Sequence, residues 1–121
     1  MSNILNPIEV YNSKTDQRDM VLKHVNKHFR KWFDDGVKMR NERKYAGSIF
    51  QFTKMIQTVP SNHTGWNSRG CTFMEMGEIR KAFEDFKKAY EINKNDRCVK
   101  NNLIKCYLEL KKKYVKNKKN I

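Results

Sequence analysis

The sequence lacks the features that mark secreted and membrane proteins. No apolar run approaches the roughly 18 residues of a membrane-spanning helix. Residues 1–30 contain no apolar signal segment and carry three acidic side chains, which transit peptides avoid. The three cysteines, Cys71, Cys98 and Cys106, are odd in number and not closely paired, so we expect free thiols rather than a disulfide framework. We therefore expect a cytoplasmic protein, with cytoskeletal, ciliary or nuclear association left open.

Catalytic motifs are also missing. The sequence has no nucleophile elbow, no glycine-rich phosphate loop and no paired cysteine motif. His24 and His28 have the i, i+4 spacing that suits two metal ligands on one helix face, but no third ligand with suitable spacing is nearby. We therefore expect a protein that is not an enzyme and needs no cofactor or metal, with histidines that are partly buried in a helix.

Acidic residues are scarce, at 13 against 26 lysines and arginines, which gives a net charge of +13. The excess is uneven: residues 63–96 are neutral, whereas residues 97–121 carry +8. Residues 111–121 contain six lysines and no acid, and we expect them to form a solvated tail. The six are Lys111, Lys112, Lys113, Lys116, Lys118 and Lys119.

One stretch, Trp66 to Ala89, organises the chain. Its small and aromatic residues recur at helical spacing on one face, pause at Gly77, and then resume. Gly70 removes a side chain where a second backbone must come close, and Gly77 ends a helix because glycine enters the left-handed region at little cost. The pattern predicts a helix hairpin, with helices over about 63–76 and 79–92.

The same pattern occurs a second time, earlier in the chain. Trp66, Gly70 and Phe86 each have a residue of the same type 34 positions earlier, namely Trp32, Gly36 and Phe52. This skeleton resembles the tetratricopeptide repeat (TPR), a unit of two helices in about 34 residues. The proline that closes a repeat is Pro60 in the first copy, but Lys94 stands there in the second. The resemblance implies an all-α fold, a short solenoid of antiparallel helix pairs.

A third copy is incomplete. Adding 34 to the residue numbers places Lys100 and Ile104 at the tryptophan and glycine positions. A lone last helix over about 97–110, with Val99, Leu103, Tyr107 and Leu110 buried, fits the cap that a solenoid needs. The expected organisation is an extended arm over 1–14, a TPR domain over 15–110 with repeats at about 29–62 and 63–96, and a basic tail over 111–121.

The first helix is predicted to run from about 16 to 42, longer than a repeat requires. Its apolar residues recur every four positions, so the stripe winds around the helix and leaves Met20, Val21 and Val25 beyond the solenoid. This apolar patch can be covered by the N-terminal arm, by a second copy or by another protein, and these alternatives stay open. We favour a monomer, since the high positive charge opposes the association of two copies.

The resemblance also implies a concave groove formed by the first helix of each repeat. Carried over by position, the groove residues are Arg30, Phe33, Val37 and Arg40, then Asn67, Cys71 and Met74, then Cys98, Asn101 and Lys105. TPR grooves that bind acidic chaperone tails use a lysine and an asparagine, then an asparagine, then a lysine and an arginine. At the matching positions this sequence has Phe33, Val37, Ser68, Cys98 and Asn102. We therefore expect an apolar or amphipathic segment as the ligand instead.

Two functions are consistent with these features. The first is a protein-interaction adaptor, a small structural subunit of a larger assembly, that binds a peptide or helix in its groove. The alternative is an accessory protein that binds nucleic acid through the basic last helix and tail. Acidic protein tails, RNA and anionic lipid are all chemically suitable partners for the lysines. The use of lysine rather than arginine and the scarcity of interleaved aromatic residues argue against sequence-specific reading of nucleic acid.

Overall fold

The computed structural model describes residues 7–119, with side chains described at Met20 and over 23–116. The described chain consists of five helices: α1 (Pro7–Asn41), α2 (Tyr45–Thr58), α3 (His63–Glu75), α4 (Ile79–Ile92) and α5 (Arg97–Lys119). None of these described helices is both long and apolar enough to cross a membrane. The chain divides into two compact units, one ending at Lys31 and the other beginning at Trp32.

The first unit contains the N-terminal part of α1. The His24 and His28 rings meet edge to face, with centroids 4.4 Å apart. Met20 is exposed and Val25 is partly buried. Among the described residues of the chain, no group of three or more histidine, cysteine or acidic side chains is arranged to hold a metal ion.

The second unit is built from two repeated helix contacts. A Cβ atom added to Gly36 would lie 2.5 Å from Phe52, and one added to Gly70 would lie 2.6 Å from Phe86. Both phenylalanines are fully buried, so each glycine lets the following helix approach α1 or α3 closely. Ala82 and Ala89 are also fully buried on α4, as the spacing of the hairpin predicts.

The two helix pairs turn in the same way. Gly77 has a φ of 80°, and the Glu78 amide donates to the Phe73 carbonyl at 2.9 Å, which closes α3 with a left-handed residue. Arg43 occupies the position of Gly77 in the first repeat, and it has a φ of 62°. The repeat thus imposes on an arginine a backbone conformation that glycine adopts at lower cost.

A buried ion pair joins α3 to α4. The Arg69 guanidinium donates two hydrogen bonds of 2.8 Å to the two carboxylate oxygens of Asp85. Asp85 is almost fully buried, and this burial raises the pKa of its carboxyl group, although Arg69 acts in the opposite direction. The guanidinium also lies over the Trp66 ring, 5.3 Å from its centroid. The pair therefore aligns α4 on α3 in the second repeat.

Three sequence expectations differ from the structure. Residues 7–14 are helical rather than extended, because a proline in the first helical turn forfeits no hydrogen bond. Residues 1–6, with Ile4 and Leu5 of the predicted arm, lie outside the described residues. The expected tail is helical as far as Lys119, since lysine favours helix and its charge is favourable near a helix C-terminus. Tyr107 is exposed rather than buried.

Candidate functional site

The second unit contains a concave pocket between α1, α3 and the start of α5. Its volume is about 330 Å³. Three of the lining residues come from α1, five from α3, one from the turn before α5 and one from α5 itself. They are Phe33, Val37 and Arg40, then His63, Thr64, Asn67, Ser68 and Cys71, then Asp96, and lastly Cys98. The pocket therefore lies on the face formed by the first helix of each pair.

Six of the ten predicted groove residues line this pocket. They are Phe33, Val37, Arg40, Asn67, Cys71 and Cys98. Met74 instead packs against the buried cluster of Ala82, Phe86 and Cys106. Asn101 and Lys105 lie on α5 and are not part of the pocket lining, and Arg30 is an exposed residue of the first unit.

Two of the lining residues, His63 of α3 and Asp96 at the start of α5, form a hydrogen bond with each other. His63 Nε2 lies 3.1 Å from Asp96 Oδ2. Asp96 also caps α5, because its other oxygen accepts from the Val99 amide at 3.0 Å. This backbone hydrogen bond, with His63 assisting, holds the pKa of Asp96 below its usual value. Asp96 therefore fixes both the start of α5 and the position of His63.

Arg40 supplies a cation to the pocket. Its Nε atom lies 3.7 Å from a carboxylate oxygen of Glu75, too far for a hydrogen bond. Nε is buried and has no hydrogen-bond partner in the described part of the chain. An unsatisfied buried donor costs about 1–3 kcal/mol.

Amide and thiol groups join α3 to α5 beside the pocket. The Asn102 side-chain amide donates to Asn67 Oδ1 at 3.0 Å and approaches the sulfurs of Cys71 and Cys98 at 3.5 and 3.7 Å. Burial raises the pKa of the Cys71 thiol, which keeps that group neutral. The arrangement fixes Asn67 Oδ1 and leaves its Nδ2 with only a long contact of 4.0 Å to Cys98 Sγ. Asn67 can thus donate to a bound backbone carbonyl.

The predicted tail lysines lie on the C-terminal part of α5. Lys111, Lys112, Lys113 and Lys116 are exposed. Lys112 contacts Glu109 at 3.3 Å. The side chains of Lys118 and Lys119 lie outside the described residues.

Three further pocket residues, His63, Thr64 and Asp96, were not identified from the sequence, whereas Ser68 was identified only as a departure from the chaperone-binding pattern. The repeat offset could have identified Thr64, because it occupies in the second repeat the position of Cys98 in the third copy. The pairing of His63 with Asp96 carries no such signal, since it depends on how one repeat stacks on the next.

No protein-family model and no curated protein sequence matches the chain. Solved structures do resemble it. The TPR2B domain of yeast Sti1, in a complex with pHsp70, superposes with a TM-score of 0.67 at 16% identity, over 71% of this chain and 69% of that one. The Arabidopsis OM64 TPR domain gives 0.65 at 17% identity, over 71% of each chain. The TPR2AB domain of yeast Sti1, in a complex with pHSP90, gives 0.67 at 14% identity, over 87% of this chain and 42% of that one. The described helices therefore have the all-α fold of a TPR solenoid, with two helix pairs followed by a fifth helix.

Proposed function

We propose that the protein is a non-enzymatic adaptor that binds an apolar or amphipathic segment of another protein in the pocket between α1, α3 and α5. The observation that carries the proposal is the pocket itself, which six of the ten expected groove residues line. Its volume of about 330 Å³ suits side chains of a peptide rather than a whole helix. The fold likeness to TPR domains that were solved in complexes supports a binding role.

The composition of the pocket favours an apolar ligand. Phe33 and Val37 are partly buried in the α1 wall, and Cys98 lies on α5. These three positions are among those where chaperone-binding TPR grooves carry polar or charged groups. Burial of a leucine- or phenylalanine-sized side chain here would stabilise the complex by about 1.5–3 kcal/mol.

Polar groups at the edge of the pocket would orient the segment. The guanidinium of Arg40, whose side chain is 20% exposed, offers N–H donors, and Asn67 offers amide hydrogens. Backbone carbonyls of an extended peptide are the acceptors that such groups pair with. We therefore expect a short segment with one or more apolar anchors whose backbone is held by Arg40 and Asn67.

A peptide-library selection on the intact protein tests this proposal. We expect enriched peptides to share apolar anchors. The double variant Val37→Glu with Cys98→Glu should weaken binding of the selected peptides at least tenfold, because each change places a carboxylate where an apolar anchor of the peptide would bind. Phe33 is left intact, since its ring packs near Phe52 with centroids 6.3 Å apart and its loss would disturb the core.

The matched control is Phe50→Gln, which removes a side chain that is 60% exposed on α2 and outside the pocket. This variant should bind the peptides with unchanged affinity. Thermal unfolding followed by circular dichroism establishes that all variants are folded. Equal binding by the pocket variant, or a selection that yields no peptide, would refute the proposed site.

A further inference from the structure

The outward face of α5 carries a stripe of exposed apolar side chains. Ile104, Leu108 and Val115 are 50%, 49% and 41% exposed. At 100° per residue these three fall within about 40° of one another around the helix, on the side away from the buried Val99 and Cys106. Isolated exposed apolar residues are ordinary, but an aligned row on one helix is typical of a docking surface.

The repeat register shows what packs against the equivalent faces of α1 and α3. Ile104 occupies the position of Gly70 in the second repeat and of Gly36 in the first. At both earlier positions the next helix of the chain packs directly on the glycine, through Phe86 and Phe52. The position of Tyr107 is that of Phe73, which is partly buried against the cluster of Ala82, Phe86 and Cys106, yet Tyr107 is 54% exposed. The stripe thus overlaps the face of α5 that would receive a second helix.

The flanks of the stripe are strongly basic. Residues 97–116 contain seven lysines and arginines against one acid, Glu109, which contacts Lys112. Leu108 and Val115 line one surface depression, and its remaining lining residues are charged: Lys105, Glu109, Lys111, Lys112 and Lys116. Lys111 lies on one side of the stripe, while Lys112 and Lys116 lie on the other.

We propose that this face of α5 docks an acidic amphipathic helix of a partner protein, in the place that α4 occupies on α3. A helix is required because the same face of α1 and α3 receives a helix. Acidic flanks are required because lysines lie on both sides of the apolar stripe. The surface shares no residue with the pocket between α1, α3 and α5.

Two other occupants fit less well. A second copy would bring a second set of the same lysines to the interface, and like charges oppose that association. Residues 1–6 contain no acidic side chain that could pair with the lysines.

The side chain of Ile104 also sets how closely the helix docks. The glycines at this position in the earlier pairs admit a phenylalanine ring at 2.5 and 2.6 Å from where a Cβ would be. Ile104 forbids that approach, so the partner helix must lie at the wider separation of ordinary helix packing, about 8–10 Å between axes. It should therefore present alanine- or leucine-sized residues to Ile104 rather than a large aromatic ring.

Synthetic helices with the length of α2 and α4, which have 14 residues each, test the proposal with the full chain. The probe has leucine and alanine on one face and glutamate on its flanks. One control peptide has lysine in place of glutamate, and a second has proline at its centre. Fluorescence anisotropy should detect binding of the acidic helix and of neither control peptide, and that binding should weaken as the salt concentration is raised.

Matched variants locate the binding face. The double variant Ile104→Gln with Leu108→Gln should bind the acidic helix about tenfold more weakly, because it loses two apolar contacts. Glutamine is a good helix former, so α5 itself should remain helical at both positions. The double variant Lys111→Gln with Lys116→Gln should bind the acidic helix severalfold more weakly, and that binding should depend less on salt concentration. Phe50→Gln and the Val37→Glu, Cys98→Glu pocket variant should bind it normally, which separates this proposal from the pocket.

Other results would overturn the proposal. They are absence of binding, equal binding of the proline peptide, or no effect of the Ile104 and Leu108 changes in a protein that circular dichroism shows to be folded. Concentration-dependent dimerisation that the double variant abolishes would identify a second copy as the occupant. Binding to phosphatidylcholine vesicles containing phosphatidylserine, or to a single-stranded RNA, without binding to the acidic helix would identify a membrane or nucleic-acid surface.

Discussion

Replacing Gly70 with alanine should destabilise the protein, although alanine is the better helix former. Gly70 lies within α3, where a change from glycine to alanine alone would stabilise a helix by about 1 kcal/mol. The added Cβ would, however, lie 2.6 Å from Cε1 and 2.8 Å from Cδ1 of Phe86. The sign of the measured change therefore reports how closely α3 and α4 approach.

The cost of the contact can be bounded. Phe86 is fully buried, so its ring cannot move into solvent, and either α4 shifts or the ring leaves its rotamer. Overpacking of this kind costs about 1–3 kcal/mol. After the helix gain is subtracted, Gly70→Ala should lower the free energy of unfolding by up to about 2 kcal/mol. For a chain of this size, each kcal/mol corresponds to roughly 3–5 °C in Tm.

Gly47→Ala is the matched control. Its added Cβ would lie 2.8 Å from Met39 Sδ, but the end of a methionine side chain is flexible and can shift more readily than a buried ring. We expect this variant to be neutral or slightly more stable. Urea unfolding followed by circular dichroism measures both variants. If Gly70→Ala raised stability as much as Gly47→Ala, the close α3–α4 contact would be wrong.

Three further predictions use the turns, the cap and the thiols. Arg43→Gly should raise the free energy of unfolding by roughly 1 kcal/mol in urea titration, because Arg43 holds the left-handed conformation that glycine holds at Gly77; a loss of stability would contradict this. Because Asp96 has a lowered pKa, its contribution to stability is complete above about pH 4 and is lost as the pH falls through that lowered pKa. Asp96→Asn keeps a capping oxygen but cannot titrate, so the stability of this variant should fall less as the pH is lowered below about 4. The same loss of stability in the variant and in the original protein would show that Asp96 is not its cause. Burial raises the pKa of Cys106 to about 11, so at pH 8 only about one thiol in a thousand is ionised, and a thiol reagent followed by mass spectrometry should modify exposed Cys98 long before Cys106.

The helix pairs were predictable because their determinants are local and repeated. The predicted limits of α4 match the structure and those of α3 agree to within one residue, and the role of Gly70 and Gly36 follows from a helical spacing that occurs twice. The pairing of Arg69 with Asp85 was not predicted. Asp85 has the spacing of the inward residues Ala82 and Ala89, and a carboxylate on a buried face signals that a partner is needed.

The ends of the outer helices were less predictable. Pro7 permits a helix as well as it breaks one, depending on whether it stands in the first turn. The Lys-rich segment of α5 has no glycine or proline to stop it, and charge alone does not decide whether such a segment is helical. Tyr107 is exposed because no helix of the described chain packs on its face of α5, and sequence spacing does not reveal whether such a helix is present. The two proposed sites depend on how the helices stack on one another, so sequence spacing predicted only some of the residues in each site.

The packing of α2 to α5 has a consequence for the order in which these helices assemble. Contacts among these helices join sequence neighbours, with α3 and α5 as the one additional pair in the described part of the chain. Such local contacts require little loop closure and favour rapid folding. Because α2 packs on α3 and α5 packs on α4, the α3–α4 pair, with its Arg69–Asp85 bridge, can serve as the nucleus to which both of these helices are added.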